Sequence, residues 1–151
     1  MVSFSSQDAI SSREAKAFIT IDGQNHELFY AKSLEATLTK NKTEIRAMGR
    51  RMVGHKATSV QGSGVLTIYK VTSLFDRLFL DYVQKGRDVY FSLHVTNEDP
   101  DSPYGRESKV LTHCNFDEID IAAFDTEDSV LEQELSFTFE GVELLESLRS
   151  V

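Results

Sequence analysis

The chain has 151 residues, 40% apolar and 26% charged, with ten Phe, five Tyr and no Trp. That is an ordinary soluble composition, long enough for one domain (1–151) to bury a core without disulfides or metals. A formal net charge of −8 argues against general nucleic-acid binding, which needs Lys and Arg to displace counterions, and the lone Cys114 excludes an internal disulfide or multi-cysteine metal site.

Residues 1–12 read as a polar, Ser-rich, flexible lead, without the charged head and apolar middle of a signal peptide. No apolar run approaches the roughly 18–20 residues of a membrane span, so the chain is expected to be cytosolic when made. Residues 15–22 set Ala15, Ala17, Ile19 and Ile21 against Lys16, Phe18, Thr20 and Asp22, the alternation of a half-buried strand. A turn at 22–25 leads to a long strand predicted over 27–40, with Phe29, then Leu34, Ala36 and Leu38 on alternate positions. After a basic segment, 65–70 (VLTIYK) reads as another strand.

The period then changes from two to about 3.6. Residues 71–85 are predicted as the one helix, with Ser73 as N-cap, Asp76 three positions on and Gly86 as terminator. Phe75, Leu78, Phe79, Tyr82 and Val83 share its apolar face, and Asp76, Arg77, Gln84 and Lys85 the polar one. Residues 88–96 form a strand with Val89, Phe91, Leu93 and Val95 inward, and 97–106, with both prolines, an exposed loop. Two strands, 108–114 and 116–124, join near Asn115, and 125–129 is a turn. Residues 130–139 set Leu131, Leu135, Phe137 and Phe139 inward against Glu132, Glu134, Ser136 and Thr138. The segment after Gly141 fits either a short helix or a strap. The sum is mainly β: an antiparallel sandwich or flattened barrel of seven or eight strands with one flanking helix (about 73–85).

Charge is unevenly spread. Residues 39–56 hold Lys40, Lys42, Arg46, Arg50, Arg51 and Lys56 against one acid, Glu44. Residues 110–148 hold eleven acids and no Lys or Arg. The basic segment lies between two strands and is read as an extended β-hairpin arm (about 40–61). With Met48, Met52 and Val53 interleaved among the cations and His55, and no aromatic to stack on bases, it suits a protein interface better than a nucleic-acid patch. A positive arm and a negative far end suit head-to-tail contact between copies, with Glu132 and Glu134 as an acidic channel or partner face; both could also be plain solvated surface.

Chemistry finds little footing, and an enzyme is not expected. His26, His55, His94 and His113 are scattered, and His113 and Cys114 point to opposite faces of a strand. The glycine-rich 62–64 leads into a strand rather than a helix N-terminus, so it lacks the basis for a phosphate cradle. The acids Asp125 and Asp128 fall in a turn, Glu132 and Glu134 on a wet strand face, and no GxSxG elbow is present. No metal or cofactor is called for.

The segments KNKTE (40–44), MGRRMVGHK (48–56), GSGVLTIYKVTSLF (62–75) and LSFTFEGVE (135–143) resemble the tail-tube proteins of contractile phages. The resemblance spans about 8–145 and is nearest to defective prophage particles and phage-tail-like bacteriocins of Gram-positive hosts. It implies a non-enzymatic subunit whose rings, six copies each, continue their sheets around a channel and stack into a tube inside a sheath. It implies a loop at 40–61 that orders on stacking, and as partners other copies, the sheath, the baseplate and the tape-measure protein. DNA would pass through without specific binding, no membrane would be involved, and the protein would move from host cytoplasm into the particle. Alternatives are a ring-forming tube terminator, an exported tube protein like that of type VI secretion, or a small-ligand β-barrel.

Overall fold

A computed structural model describes residues 15–98, 103–124 and 130–148, together with 6, 100, 126 and 127. The expected lead over 1–12 lies, residue 6 apart, outside the described residues, as do Asp125 and Asp128 of the predicted turn.

β1 (Ala15–Ile21) and β2 (Gln24–Glu27) form a hairpin whose turn holds Asp22 and Gly23 at φ 50° and 79°. An Asx residue and a glycine tolerate that left-handed region best. β3 (Ala31–Ile45), β4 (Gly54–Tyr69), α1 (Leu74–Lys85), β5 (Phe91–Glu98), β6 (Arg106–Ile119), β7 (Glu132–Phe139) and β8 (Gly141–Glu146) follow. The strands make one open antiparallel sheet, ordered β2-β1-β5-β6-β7-β4-β3, with β8 on β6 as well. It folds over itself, because Ile19, Leu93 and Leu111 from one half and Leu66, Ile68, Leu135 and Phe137 from the other share one buried core.

β6 is the strand both halves share. Its first part pairs with β5 and β8, and residues 115–119 pair with β7. The crossing is at His113, which takes φ 54°, and opposite it Glu140 separates β7 from β8. Thr112 stands so close to Gly141 that a Cβ there would collide with its hydroxyl. The two strands predicted over 108–124 are therefore one bent strand ending at Ile119, and the undecided segment after Gly141 is a strand. The strand predicted over 27–40 is broken at 28–30. There Leu28 and Tyr30 both turn into the core while Phe29 stays out, and the chain passes from one edge of the open sheet to the other.

The helix starts at Leu74, directly after the predicted N-cap Ser73, but Ser73 makes no side-chain cap bond. Thr72 supplies one instead, its hydroxyl accepting from the Leu74 N–H at 3.2 Å. Gly86 ends the helix in the left-handed region, as expected. Phe75 is wholly buried, but Tyr82 and Val83, predicted on the packed face, are exposed; only the first half of the helix lies on the sheet. Asp76, predicted outward, holds that half down. It accepts from Lys70 Nζ and from Gln133 Nε2, both at 2.6 Å, and Gln133 Nε2 also donates to the Asp120 carbonyl at 2.9 Å. Gln133 is only 2% exposed, so this polar clasp joins β4, α1, β7 and the end of β6. Leu131, predicted inward, is exposed, because β7 begins one residue after it.

Candidate inter-subunit surface

The arm grows from the sheet where two glycines thin it. Gly64 and Gly62 of β4 lie beneath the rings of Phe137 and Phe139, and a Cβ at either would come within 2.5 Å of the ring above. Gly62–Phe139 is the last pair that β4 makes with β7. Beyond it β3 and β4 continue alone from Leu38–Gly62 to Ile45–Gly54, a two-stranded ribbon of about 25 Å at 3.4 Å per residue. The register slips at Asn41, where the Thr58 hydroxyl donates to the Asn41 carbonyl at 3.0 Å and Asn41 Nδ2 donates to Ser59 Oγ at 2.9 Å. At the tip Arg50 N–H donates to the Ala47 carbonyl at 3.3 Å, and Gly49 takes φ 82°. The β-hairpin arm expected over about 40–61 is thus a paired ribbon with a turn of eight residues, where the resemblance implied a loop.

The singled-out side chains all lie on this ribbon and are all exposed. Lys40, Lys42 and Glu44 alternate along one face of β3, with Ala57 and His55 opposite the last two, while Lys56 faces Thr43 on the other side. Met48, Arg50, Arg51 and Met52 form the tip, with Met48 and Met52 open to solvent. Arg46 reaches Glu44 at 3.5 Å. Among the described residues no carboxylate pairs with Lys40, Lys42, Arg50, Arg51 or Lys56.

Glu132 and Glu134 fall on the face of β7 turned from the core, Glu132 taking Lys32 at 2.8 Å. Register adds two acids that sequence reasoning missed: Glu118 stands opposite Ser136, and Glu35 opposite Val65, itself opposite Ser136. Only the strand order brings Glu35 and Glu118 onto the face of Glu132 and Glu134, so no local signal could have placed them there.

The remaining reactive groups have separate surroundings. His113 stacks on Tyr90 (ring centroids 4.0 Å apart) and faces Glu140 at 3.3 Å. Cys114 turns the other way into the core, its thiol donating to the Leu111 carbonyl at 3.4 Å; burial pushes that thiol up to about 12. His94 sits between Phe18 and Val110 in the sheet.

A family model described as phage tail tube protein matches residues 2–146. The chain belongs to the phage tail tube protein family. Among its relatives, the phage-like element PBSX protein XkdM of Bacillus subtilis (strain 168) is 44% identical over 142 residues, 94% of each chain. Two solved assemblies contain chains of the same fold. One, in the anti-feeding prophage baseplate, gives a TM-score of 0.71 at 14% identity, covering 91% of this chain and 95% of that one. The other, in the sheath–tube complex of an extracellular contractile injection system, gives 0.66 at 12% identity, covering 96% and 100%. The eight-stranded open sheet with one helix, counted among the described residues, is therefore a tail-tube fold, and a tail tube protein is a structural component of its particle.

Proposed function

We propose that this tail tube protein is the repeating subunit of the inner tube of a contractile phage tail or phage-tail-like particle. As a single folded unit it closes into rings of six copies, and the rings stack through the arm. The observation that carries the stacking role is the ribbon itself. It projects about 25 Å beyond the last strand that supports it and presents five cations, Lys40, Lys42, Arg50, Arg51 and Lys56, with no carboxylate partner among the described residues. Lys40, Lys42, Arg46, Arg50, Arg51 and Lys56, with Met48, Met52 and His55 between them, then meet acids of the next ring. Each exposed pair contributes only about 0–1 kcal/mol, and a closed ring multiplies it.

The sheet face bearing Glu35, Glu118, Glu132 and Glu134 supplies the channel wall, where a negative potential lets a polyanion slide without sticking. The work is done by assembly rather than catalysis, without metal or cofactor. Partners are other copies, the sheath, the baseplate and the tape-measure protein, met in the host cytoplasm before the particle is complete. Negative-stain microscopy of the concentrated protein tests this: rings or tubes tens of ångströms wide are expected, and monomers alone under every condition refute it.

A further inference from the structure

We propose that the tip of the arm seats in a groove at the base of another copy's arm, so that the contact between stacked rings is a tip in a socket. This rests on the reading that rings stack through the arm, and it names the surface that receives it.

The socket exists because two strands part. β7 follows β4 as far as Gly62–Phe139; at Glu140 the chain turns away, its N–H donating to the Thr112 carbonyl at 3.1 Å, and continues along β6 as β8. β4 continues the other way into the ribbon. The parting leaves an open groove of ≈ 760 Å³ lined by Leu38, Val60, Phe139, Glu140 and Val142, among others. Leu38 and Val60 share the face of the sheet that carries buried Leu66, so the core's apolar surface runs out here without a lid. Leu38 is 58% exposed, Val60 59% and Val142 40%. Glu140 sits in the lining with most of its side chain in solvent and His113 as its partner; Glu143 lies three residues on and is exposed.

The tip has the matching character. Met48 and Met52 are adaptable apolar side chains, 102% and 80% exposed, and Arg50 and Arg51 between them lack a carboxylate partner among the described residues. Methionines entering the groove cover Leu38, Val60 and Val142, while a guanidinium reaches the carboxylate at its rim. The tip cannot reach the groove of its own copy: strand pairing holds to Ile45–Gly54, keeping it about 25 Å from the base. The occupant is therefore a second copy. Tip and socket lie at opposite ends of one ribbon, so the contact is head to tail and leaves a free tip and a free socket at each addition. A contact of that kind propagates instead of closing.

Thiol cross-linking in assembled tubes tests this. The full chain carrying Met52→Cys and Val142→Cys, assembled and mildly oxidised, is expected to give a ladder of multimers on a non-reducing gel. Cys114 is wholly buried and stays out of the reaction. Each single variant is expected to give no ladder, and neither is Met52→Cys with Lys85→Cys, which places the second thiol on the helix. Tubes that form and yield no ladder overturn the socket and leave the tube reading standing; failure of the unaltered chain to assemble at all removes both. As a second measurement, Val60→Glu at an exposed position is expected to leave the urea midpoint of the monomer unchanged. It should raise the concentration needed for tubes by about tenfold or more, as losing one good contact does. An unchanged concentration overturns the proposal, and so do normal tubes that no longer bind sheath protein, because the occupant is then the sheath.

Discussion

The same two strands are held by opposite means at their two ends. Near Leu66 and Ile68, β4 is buried, sandwiched between β3 and β7, with Phe137 laid across Gly64. From Gly54 to Gln61 it has β3 alone, and its residues lie in solvent apart from the half-covered Gly54. An isolated two-stranded ribbon is marginal in water. Its order costs backbone entropy that little burial offsets. The body explains itself by its own packing, whereas the arm has little packing of its own among the described residues. Substitutions in the body should therefore be read in stability and those in the arm in assembly.

Phe137→Ala should break the body hardest. The ring is 1% exposed and touches Phe91 and Phe139 as well as Gly64, so truncation is expected to cost about 3–5 kcal/mol in urea unfolding. A loss under about 1 kcal/mol would mean that the core is not organised around this ring.

Alkaline pH should come next. Burial holds the Cys114 thiol at about 12 against an ordinary 9.0, so folding favours the neutral form. The stability this confers is fully present below pH 9 and is lost as pH rises toward 12, to at most about 4 kcal/mol. The unfolding midpoint of Cys114→Ala should fall less steeply over that window than the parent's; parallel curves would refute the assignment. A third, smaller effect is expected for Asp76→Ala. Lys70 and Gln133 lose the acceptor they share, at about 1–3 kcal/mol. Replacing Lys70 by Met in the same chain should recover part of it. Neither change should alter the arm.

The fold was readable wherever pattern and burial coincide. Phe91, Leu93, Leu135 and Phe137 alternate because their strands have one wet and one dry face, and both show as period two. Failures occur where tertiary geometry overrides the local pattern. Nothing in HCNF announces that His113 takes positive φ and turns one strand through a corner. Tyr82 and Val83 have the helical period but lie beyond the sheet, and Leu28 and Tyr30 are both buried because the chain turns between sheet edges. The arm was legible from its charge and its place between two strands. Its socket was not, since Leu38, Val60 and Val142 meet only through the parting of β4 and β8.

The smallest effect on the monomer should come from Arg50→Glu with Arg51→Glu, and it sharpens the comparison most. Both side chains are exposed at the turn and make no ion pair among the described residues, so unfolding stability should move by no more than about 0.5 kcal/mol. Assembly should fail nonetheless, because reversal places like charges together at every repeat around a ring, and small repulsions add under symmetry as small attractions do. Stability from urea unfolding and tube formation from negative-stain fields, measured on one preparation, separate the two regions. A destabilised monomer would show that the tip helps hold the body together. A stable monomer that still makes tubes at the parent's concentration would strip the arm of its role, and the ribbon's exposed cations would be no more than a solvated surface.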